Sequence, residues 1–548
     1  MLFVSFDFLL FIIPVLLIAW ALSNAAAARV LFLIGASYFF YMAGPLTDPL
    51  PAPWYYVGLL LFSTLLDYHC SGRIHQLAPQ LESPDAGLAE SARRQRNAWL
   101  GLSLLGNLGL LGYFKYTNFF LEAFSDIAGA LGAEVVVPHL ELLLPVGISF
   151  YTFQSLSYTI DVWRGRLTPE PSFRKFALFV VFFPQLVAGP IVRASELLPQ
   201  LHRRPQLSAE RMHEGLFKIF KGLFKKAILG DWIAASFTDA VFTAPLSYSS
   251  LEILLALYAF TLQLYADFSG YSDIAIGVAR LLGYEIPENF DRPHQARNVG
   301  EFWRRWHMTL STWLRDYLFF PLGGSRGTRV RTYFNLWLTM FLVGMWHGAS
   351  WNFVIYSNLQ AGAILFNRWN RTRDTGYNFH NVIGWAIWLI LLPLATYNFS
   401  GWALALDHEG SLALAGCALV SSIVIGFLPT AGGPLNAIVH ILITFHFTVL
   451  SRVFFRAESL ELAQQMIARM LELDGLGLRP GLLGPWMWIA LIGGLGYHFT
   501  PRGWVEERAY GLFRQLPGPA LGALFVALGY LILKTMSGGP RAFIYFQF

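Results

Sequence analysis

The feature that most constrains this chain is the recurrence, from end to end, of apolar stretches about as long as a bilayer is thick. They fall at about 3–20, 30–43, 54–68, 99–114, 140–160, 174–192, 212–230 and 248–266. More lie at about 333–347, 350–367, 381–400, 411–428, 436–455, 485–498 and 519–535. In lipid every backbone N–H and C=O needs a partner inside the protein, so only helices and closed barrels cross. Runs of this length select helices. The expected fold is therefore all-α, a polytopic transmembrane bundle of roughly 11–14 membrane segments, each full crossing needing about 20 residues. The shorter runs are read as re-entrant or partial helices buried among the others.

Composition agrees. Hydrophobic residues make up 55% of the 548 and charged ones 13%, whereas soluble domains carry about 25% charged residues. Phe tolerates the lipid core, while Trp and Tyr prefer the headgroup level; the chain has 47 Phe, 23 Tyr and 18 Trp. Cys70 and Cys417 are too few for a disulfide scaffold and show no metal spacing. The opening MLFVSFDFLLFIIPVLLIAW has no basic leader or small-residue cleavage site and reads as a retained first span.

The basic residues are clustered. Residues 193–226 hold eight Lys or Arg and 280–331 hold nine Arg, with a smaller group at Arg73, Arg93, Arg94 and Arg96. The stretches 44–53, 231–250 and 401–410 hold none. By the positive-inside rule the basic stretches face the cytoplasm, which puts the N-terminus outside. The net charge of +5 is thereby read as membrane orientation, not as nucleic-acid binding. Beyond about 430 the alternation is lost, and Arg452, Arg456 and Arg469 have no clear side. Within 174–192, Pro184 and Gly189-Pro190 interrupt helical bonding. A break lining a cavity is expected there, because irregular backbone at membrane depth needs such cover.

Two stretches carry the candidate chemistry. In GEFWRRWHMTLSTWLRDYLFFPLGGSRG (300–327), helical spacing of about 100° per residue puts Trp303, Trp306, His307, Leu310, Trp313, Leu314 and Tyr317 on one face. Arg304, Ser311 and Arg315 form a neighbouring stripe, and Arg305 points with Asp316. Tryptophans beside arginines suit a helix at the headgroup level. On this helix alone, His307 reads rather better as a packing histidine than as a functional one. In YFNLWLTMFLVGMWHGASW (333–351), His347 lies deep in an apolar segment between Gly344 and Gly348. Glycines four apart leave a bare stripe for close approach of a helix or ligand. An ionisable group inside a membrane segment is a functional-site hypothesis by default. Burial disfavours the imidazolium, and the neutral ring is the form a general base requires. A hydroxyl attacking a thioester needs such a base, and a thiolate leaves readily. Whether the two histidines meet across forty residues of sequence (347 − 307) is left to the fold.

Other groups are weaker. Asp267 and Asp273 are expected to cap helices or pair with arginines. His440 and His446 are expected to pack, and His69, Cys70 and His75 to cluster by chance, so no metal is expected. Arg304 and Arg315 are candidates for the phosphates of a nucleotide-bearing donor. No Walker A, dinucleotide-binding glycine motif or Gly-x-Ser-x-Gly elbow has suitable flanks.

WRRWH, a glycine-rich break and then WHG resemble the membrane-bound O-acyltransferase family. NLGLLGYFKYTNFF (107–120), LPVGISFYTFQSLSYTIDVWRG (144–165), FFPQLVAGPIVR (182–193) and QLYADFSGYSDIAIG (263–277) extend the likeness. NFDRP (289–293), MWHGASWNFVIY (345–356), RVFFRAES (452–459) and FIYFQF (543–548) extend it further. They are similar to the bacterial branch that includes the membrane subunit of alginate O-acetylation. The resemblance implies one integral-membrane domain enclosing a tunnel, with N-terminal helices over 1–140, a catalytic core over 141–370 and C-terminal helices over 371–548. It implies His347 as catalytic residue and His307 as its partner, with Arg304, Arg305, Arg315 and Trp306 receiving the donor. No permanently bound cofactor is implied. The resemblance implies cytoplasmic acetyl-CoA as the donor and an acceptor across the bacterial inner membrane. It implies as that acceptor a periplasmic or membrane-anchored acetyltransferase partner which finally modifies a polysaccharide. A D-alanyl-transferring branch that uses a carrier protein is the nearest rival. A transporter is a more distant one, since no paired internal halves are visible.

Overall fold

A computed structural model of the chain describes residues 1–43, 55–371, 434–472, 478–479 and 481–535. The expected segments at 381–400 and 411–428, the uncharged stretches 44–53 and 401–410, Cys417 and the terminal FIYFQF lie outside the described residues. Among the described residues all regular structure is helical, with no strand. Two described helices are by themselves long and apolar enough to cross a membrane, Ser250–Leu281 and Gly518–Thr535. Phe6–Ala21 and Ala26–Met42 are apolar but shorter.

Several boundaries move from their sequence positions for local reasons. The run at 99–114 is the middle of a 45-residue helix, Ala86–Ala130, begun by the Asp85 carboxylate accepting from the Gly87 and Leu88 N–H groups. The run at 140–160 turns helical only at Ile148–Trp163. Before it, Gly147 sits at φ 76° with Leu186 O only 2.7 Å from where a Cβ would stand. A side chain there would collide as well as strain the backbone.

The helix Ser250–Leu281 is the centre of the bundle. Ser249 and Glu252 form a capping box at its start, and every residue from Ala259 to Ala279 is buried. A helix apolar all round is stable only when surrounded. Ala209–Phe224 packs against it most closely, antiparallel, through two pairs of glycines. A Cβ at Gly222 would lie 2.6 Å from Gly270 O, and one at Gly277 would lie 2.6 Å from Gly215 O. The backbones touch at both points, as small residues permit between membrane helices. Past Phe224 the chain widens into π-helical turns over Lys225–Trp232 and Ala234–Thr238.

The carboxylates of the central helix face that second helix. Asp273 meets Lys218 at 3.1 Å, Lys225 at 2.8 Å and Lys221 at 3.4 Å, and Asp267 meets Lys226 at 2.5 Å. This corrects the expectation of caps or arginine partners: both aspartates are mid-helix, and the partners are lysines. A buried charge is tolerated only when paired. No group of described residues is arranged to hold a metal.

The break at 174–192 is present, as Phe173–Val181, Phe183–Leu186 and an irregular run after them. Protein covers it. Phe183 N–H donates to Ser37 Oγ at 3.2 Å, Gln154 Nε2 donates to Phe179 O at 2.6 Å, and Ile191 N–H donates to Thr309 Oγ1 at 3.0 Å. Three other segments thus answer the backbone groups that the interruption frees.

Because the two helix backbones touch, Gly270→Val should destabilise the fold by about 1–3 kcal/mol, the usual cost of overpacking. The check is the thermal unfolding midpoint in detergent. An unchanged midpoint would mean that the seam does not hold the helices.

Candidate active site

The WRRWH stretch is two helices, not the single one expected from its periodicity. Val299–Arg305 starts at Asn298, whose side chain accepts from the Glu301 N–H, and Met308–Leu314 follows. Between them His307 stands at φ 45°, in the left-handed region, as does Arg292. Two non-glycine residues held there store strain of the kind found at functional sites. The expected inner face is nonetheless correct: Trp303, Trp306, His307, Leu310, Trp313, Leu314 and Tyr317 are all buried.

Asn289, from NFDRP, holds the break open. Its backbone O accepts from Met308 N–H at 2.9 Å, and Asp291 N–H donates to Arg305 O at 2.9 Å. Its Oδ1 accepts from Thr309 N–H at 3.2 Å and Thr309 Oγ1 at 2.9 Å, and lies 3.1 Å from His307 Nδ1. A backbone N–H can only donate, so the atom facing it is the amide oxygen. His307 Nδ1 must then carry the proton. In the neutral ring Nε2 is left as an acceptor, and it is buried with no hydrogen-bond partner among the described residues.

His347 is the last residue of the helix Arg329–His347, which starts at a Thr328 cap. The last carbonyls of a helix have no partner within it. Here Lys115 Nζ donates to Trp346 O at 2.5 Å and His347 O at 3.2 Å, and Tyr116 OH donates to Met345 O at 2.9 Å. The following helix, Trp351–Arg371, turns back along the first. A Cβ on Gly344 would overlap Ser357, and one on Gly348 would overlap Phe353. The bare stripe expected at these glycines is thus filled by the chain's own next helix.

The fold brings the two histidines together. Trp346 lies between them, its ring 5.8 Å from that of His307 and 5.0 Å from that of His347. Phe268 stands 4.8 Å from His307, and Phe455 stands 5.5 Å from His347. Both imidazoles are sealed from solvent, at 0% and 2% exposure.

The other predicted residues separate. Trp306 is buried, with Arg452 over its ring at 5.0 Å. Arg305 pairs with Glu301 at 2.7 Å, not with Asp316. Arg304 and Arg315 are exposed. Asp316 instead takes Arg315 at 2.7 Å and Arg193 at 2.5 Å. Burial alone would raise the Asp316 carboxyl, but these two guanidiniums hold it below the usual carboxylate range. Arg164 and Arg193 both stack on Tyr317 at 5.3 Å. His446, expected to pack, is exposed; its ring lies against Tyr258 and Nδ1 is 2.7 Å from Leu442 O of its own helix. Cys70 is a buried free thiol.

Sequence reading missed Asn289, Lys115, Arg452 and a second histidine pair. His294 N–H donates to His498 Nε2 at 3.1 Å, and their rings lie 4.9 Å apart behind Trp306. A lysine closing an apolar run, as Lys115 does in GYFKYTNFF, was the readable signal for one of these. The others sit in segments far from their partners in sequence.

Comparison with known proteins shows the family. The sequence model of the membrane-bound O-acyltransferase family matches residues 166–400. The peptidoglycan O-acetyltransferase of Helicobacter pylori is 32% identical over 505 residues, 86% of this chain and 80% of that one. The chain belongs to the membrane-bound O-acyltransferase family and is a membrane protein of that class. Among individual relatives, the probable alginate O-acetylase of Pseudomonas aeruginosa is 40% identical over 359 residues, 65% of this chain. The match spans 64% of that relative, just under two thirds of its length. The teichoic acid D-alanyltransferase of Bacillus subtilis is 31% identical over 247 residues, 43% of this chain and 62% of that one.

The Asn289 clamp can be tested without any substrate. Asn289→Leu strands three donors, Thr309 N–H, Thr309 Oγ1 and His307 Nδ1, at a cost of about 1–3 kcal/mol for each buried unsatisfied group. A clear fall in the thermal midpoint is expected, whereas Gln515→Leu, at an exposed position, should leave it unchanged.

Proposed function

We propose that this protein takes acetyl from cytoplasmic acetyl-CoA and passes it across the bacterial inner membrane. The acceptor is a periplasmic or membrane-anchored partner protein that carries the acetyl to a polysaccharide. The observation that carries the reading is the convergence of His307 and His347 on Trp346 inside a membrane bundle. The named relatives support its acetyl form, since O-acetylation is in the names of the alginate and peptidoglycan relatives.

The geometry supports a division of labour. His347 removes the proton of the acceptor hydroxyl as that oxygen attacks the thioester carbonyl. His307, with Nδ1 occupied by Asn289, offers Nε2 as an acceptor and orients the hydroxyl by taking a hydrogen bond from it. Lys115 and Tyr116 hold the helix end that carries His347, so its position does not depend on a frayed terminus. The exposed Arg304 and Arg315 meet the donor's phosphates from the basic, cytoplasmic face. Arg305 is held by Glu301, and Trp306 lies in the packing beneath, so both support that surface from behind. Multiple crossings and a path from each side to the histidines are part of the proposal.

A second reading, D-alanyl transfer from a carrier protein, is favoured by the Bacillus subtilis relative, although that match covers a smaller part of the chain. The test is thiol release from acetyl-CoA by the full chain in nanodiscs, with membrane extract supplying acceptor. His347→Ala should lose roughly 10²–10⁴-fold, the contribution of a positioned general base, and His307→Ala should also fall. Full activity in His347→Ala would falsify the mechanism. Silence with acetyl-CoA but turnover with a D-alanyl carrier would select the second reading.

A further inference from the structure

The proposed chemistry needs a group that neither histidine supplies. When the hydroxyl oxygen attacks, a C–O bond forms and the hydroxyl proton passes to an imidazole. The carbonyl π pair moves onto oxygen, giving an oxyanion. Collapse re-forms C=O and breaks C–S, and the thiolate leaves with the proton taken back from the imidazolium. The oxyanion needs hydrogen-bond donors in a dry site. With Nδ1 committed to Asn289, neutral His307 has only an acceptor left to offer, so the donor must come from elsewhere.

Arg452 stands in the right place. It lies on the helix Pro434–Arg456 and is 1% exposed. Among the described residues its Nε and Nη2 are buried with no hydrogen-bond partner, and no carboxylate pairs with it. The buried lysines Lys225 and Lys226 both have carboxylate partners. Arg452 is instead held by ring faces: its Cζ lies 5.0 Å from the Trp306 ring and 5.3 Å from the Phe455 ring. Those two rings belong to the site. Trp306 adjoins His307 in the chain, and Phe455 lies 5.5 Å from the His347 ring. Cation–π contact steadies a guanidinium without consuming its N–H groups. A buried cation with idle donors is a poor structural element. It is a good receptor for charge that appears only during reaction.

We propose that Arg452 is the oxyanion-stabilising residue of this site, donating from its guanidinium to the acyl carbonyl oxygen as the thioester is attacked. The inference rests on the acyl-transfer reading above. It adds a third catalytic group, contributed by a helix distant in sequence from both histidine motifs.

The experiment compares Arg452→Met and Arg452→Lys with wild type, as full chains in nanodiscs, by thiol release and by thermal midpoint. Arg452→Met should lose roughly 10²–10³-fold in kcat, as when an oxyanion donor is removed, with KM for acetyl-CoA little changed. Arg452→Lys, which keeps a cationic donor, should recover part of that loss. The midpoint of Arg452→Met should equal or exceed that of wild type, because an unpaired buried charge has been removed. Retained kcat, a loss seen only in KM, or a midpoint well below wild type would each overturn the assignment, the last by making Arg452 a structural residue. If wild type uses a D-alanyl carrier instead of acetyl-CoA, the donor reading fails, and the same kcat ratio with that donor still decides Arg452. If wild type transfers neither group, the acyl-transfer reading fails and the oxyanion role falls with it.

Discussion

An apolar solvent outside and few charges inside leave this chain one dominant constraint: polar groups taken out of water must be answered within the protein. The central helix shows the constraint at its most severe. Ser250–Leu281 is surrounded, yet it carries Asp267 and Asp273. Lysines of the helix beside it and of the π-helical turns that continue it neutralise both, and the touching glycine pairs bring that segment near enough to do so. Removing the glycines would separate the charges as well as the backbones. The packing and the electrostatics of this part of the bundle are therefore a single arrangement.

The same constraint shapes the site. Backbone freed at the 306–307 break is taken up by Asn289, and carbonyls freed at the end of Arg329–His347 are taken up by Lys115 and Tyr116. Each histidine thus sits where regular structure stops and another segment completes the hydrogen bonds. That is also where a ring nitrogen can be left available without disturbing a helix. His307 and Arg292, both left-handed and both buried, mark the region in which local backbone preference gives way to the site.

Rings complete the arrangement. Phe268, Trp346 and Phe455 separate the histidines from polar surroundings, and Trp306 with Phe455 holds the Arg452 guanidinium. Aromatic faces can lie against a cation without hydrogen-bonding to it. A site built this way holds a guanidinium in place without spending its N–H groups.

Much of this was legible in the sequence. Apolar run length dictated an all-helical membrane protein, because backbone burial in lipid permits little else. The spacing of Trp303, Trp306, His307, Leu310, Trp313 and Tyr317 identified the buried face, even though one helix proved to be two. The WRRWH and WHG motifs pointed to the family, and the isolated His347 in an apolar segment drew notice to a position that the fold brings beside His307. Hydrophobic period and motif spacing are local, and such features survive in one dimension. What the sequence could not specify was which segments meet. The lysine partners of Asp267 and Asp273, the Asn289 clamp, the cap from Lys115 and the placement of Arg452 beside Trp306 all join residues distant in the chain. Nothing in a one-dimensional pattern encodes those pairings. Only the packed structure determines which buried donor faces which acceptor, because each pairing is set by where several helices come to rest together.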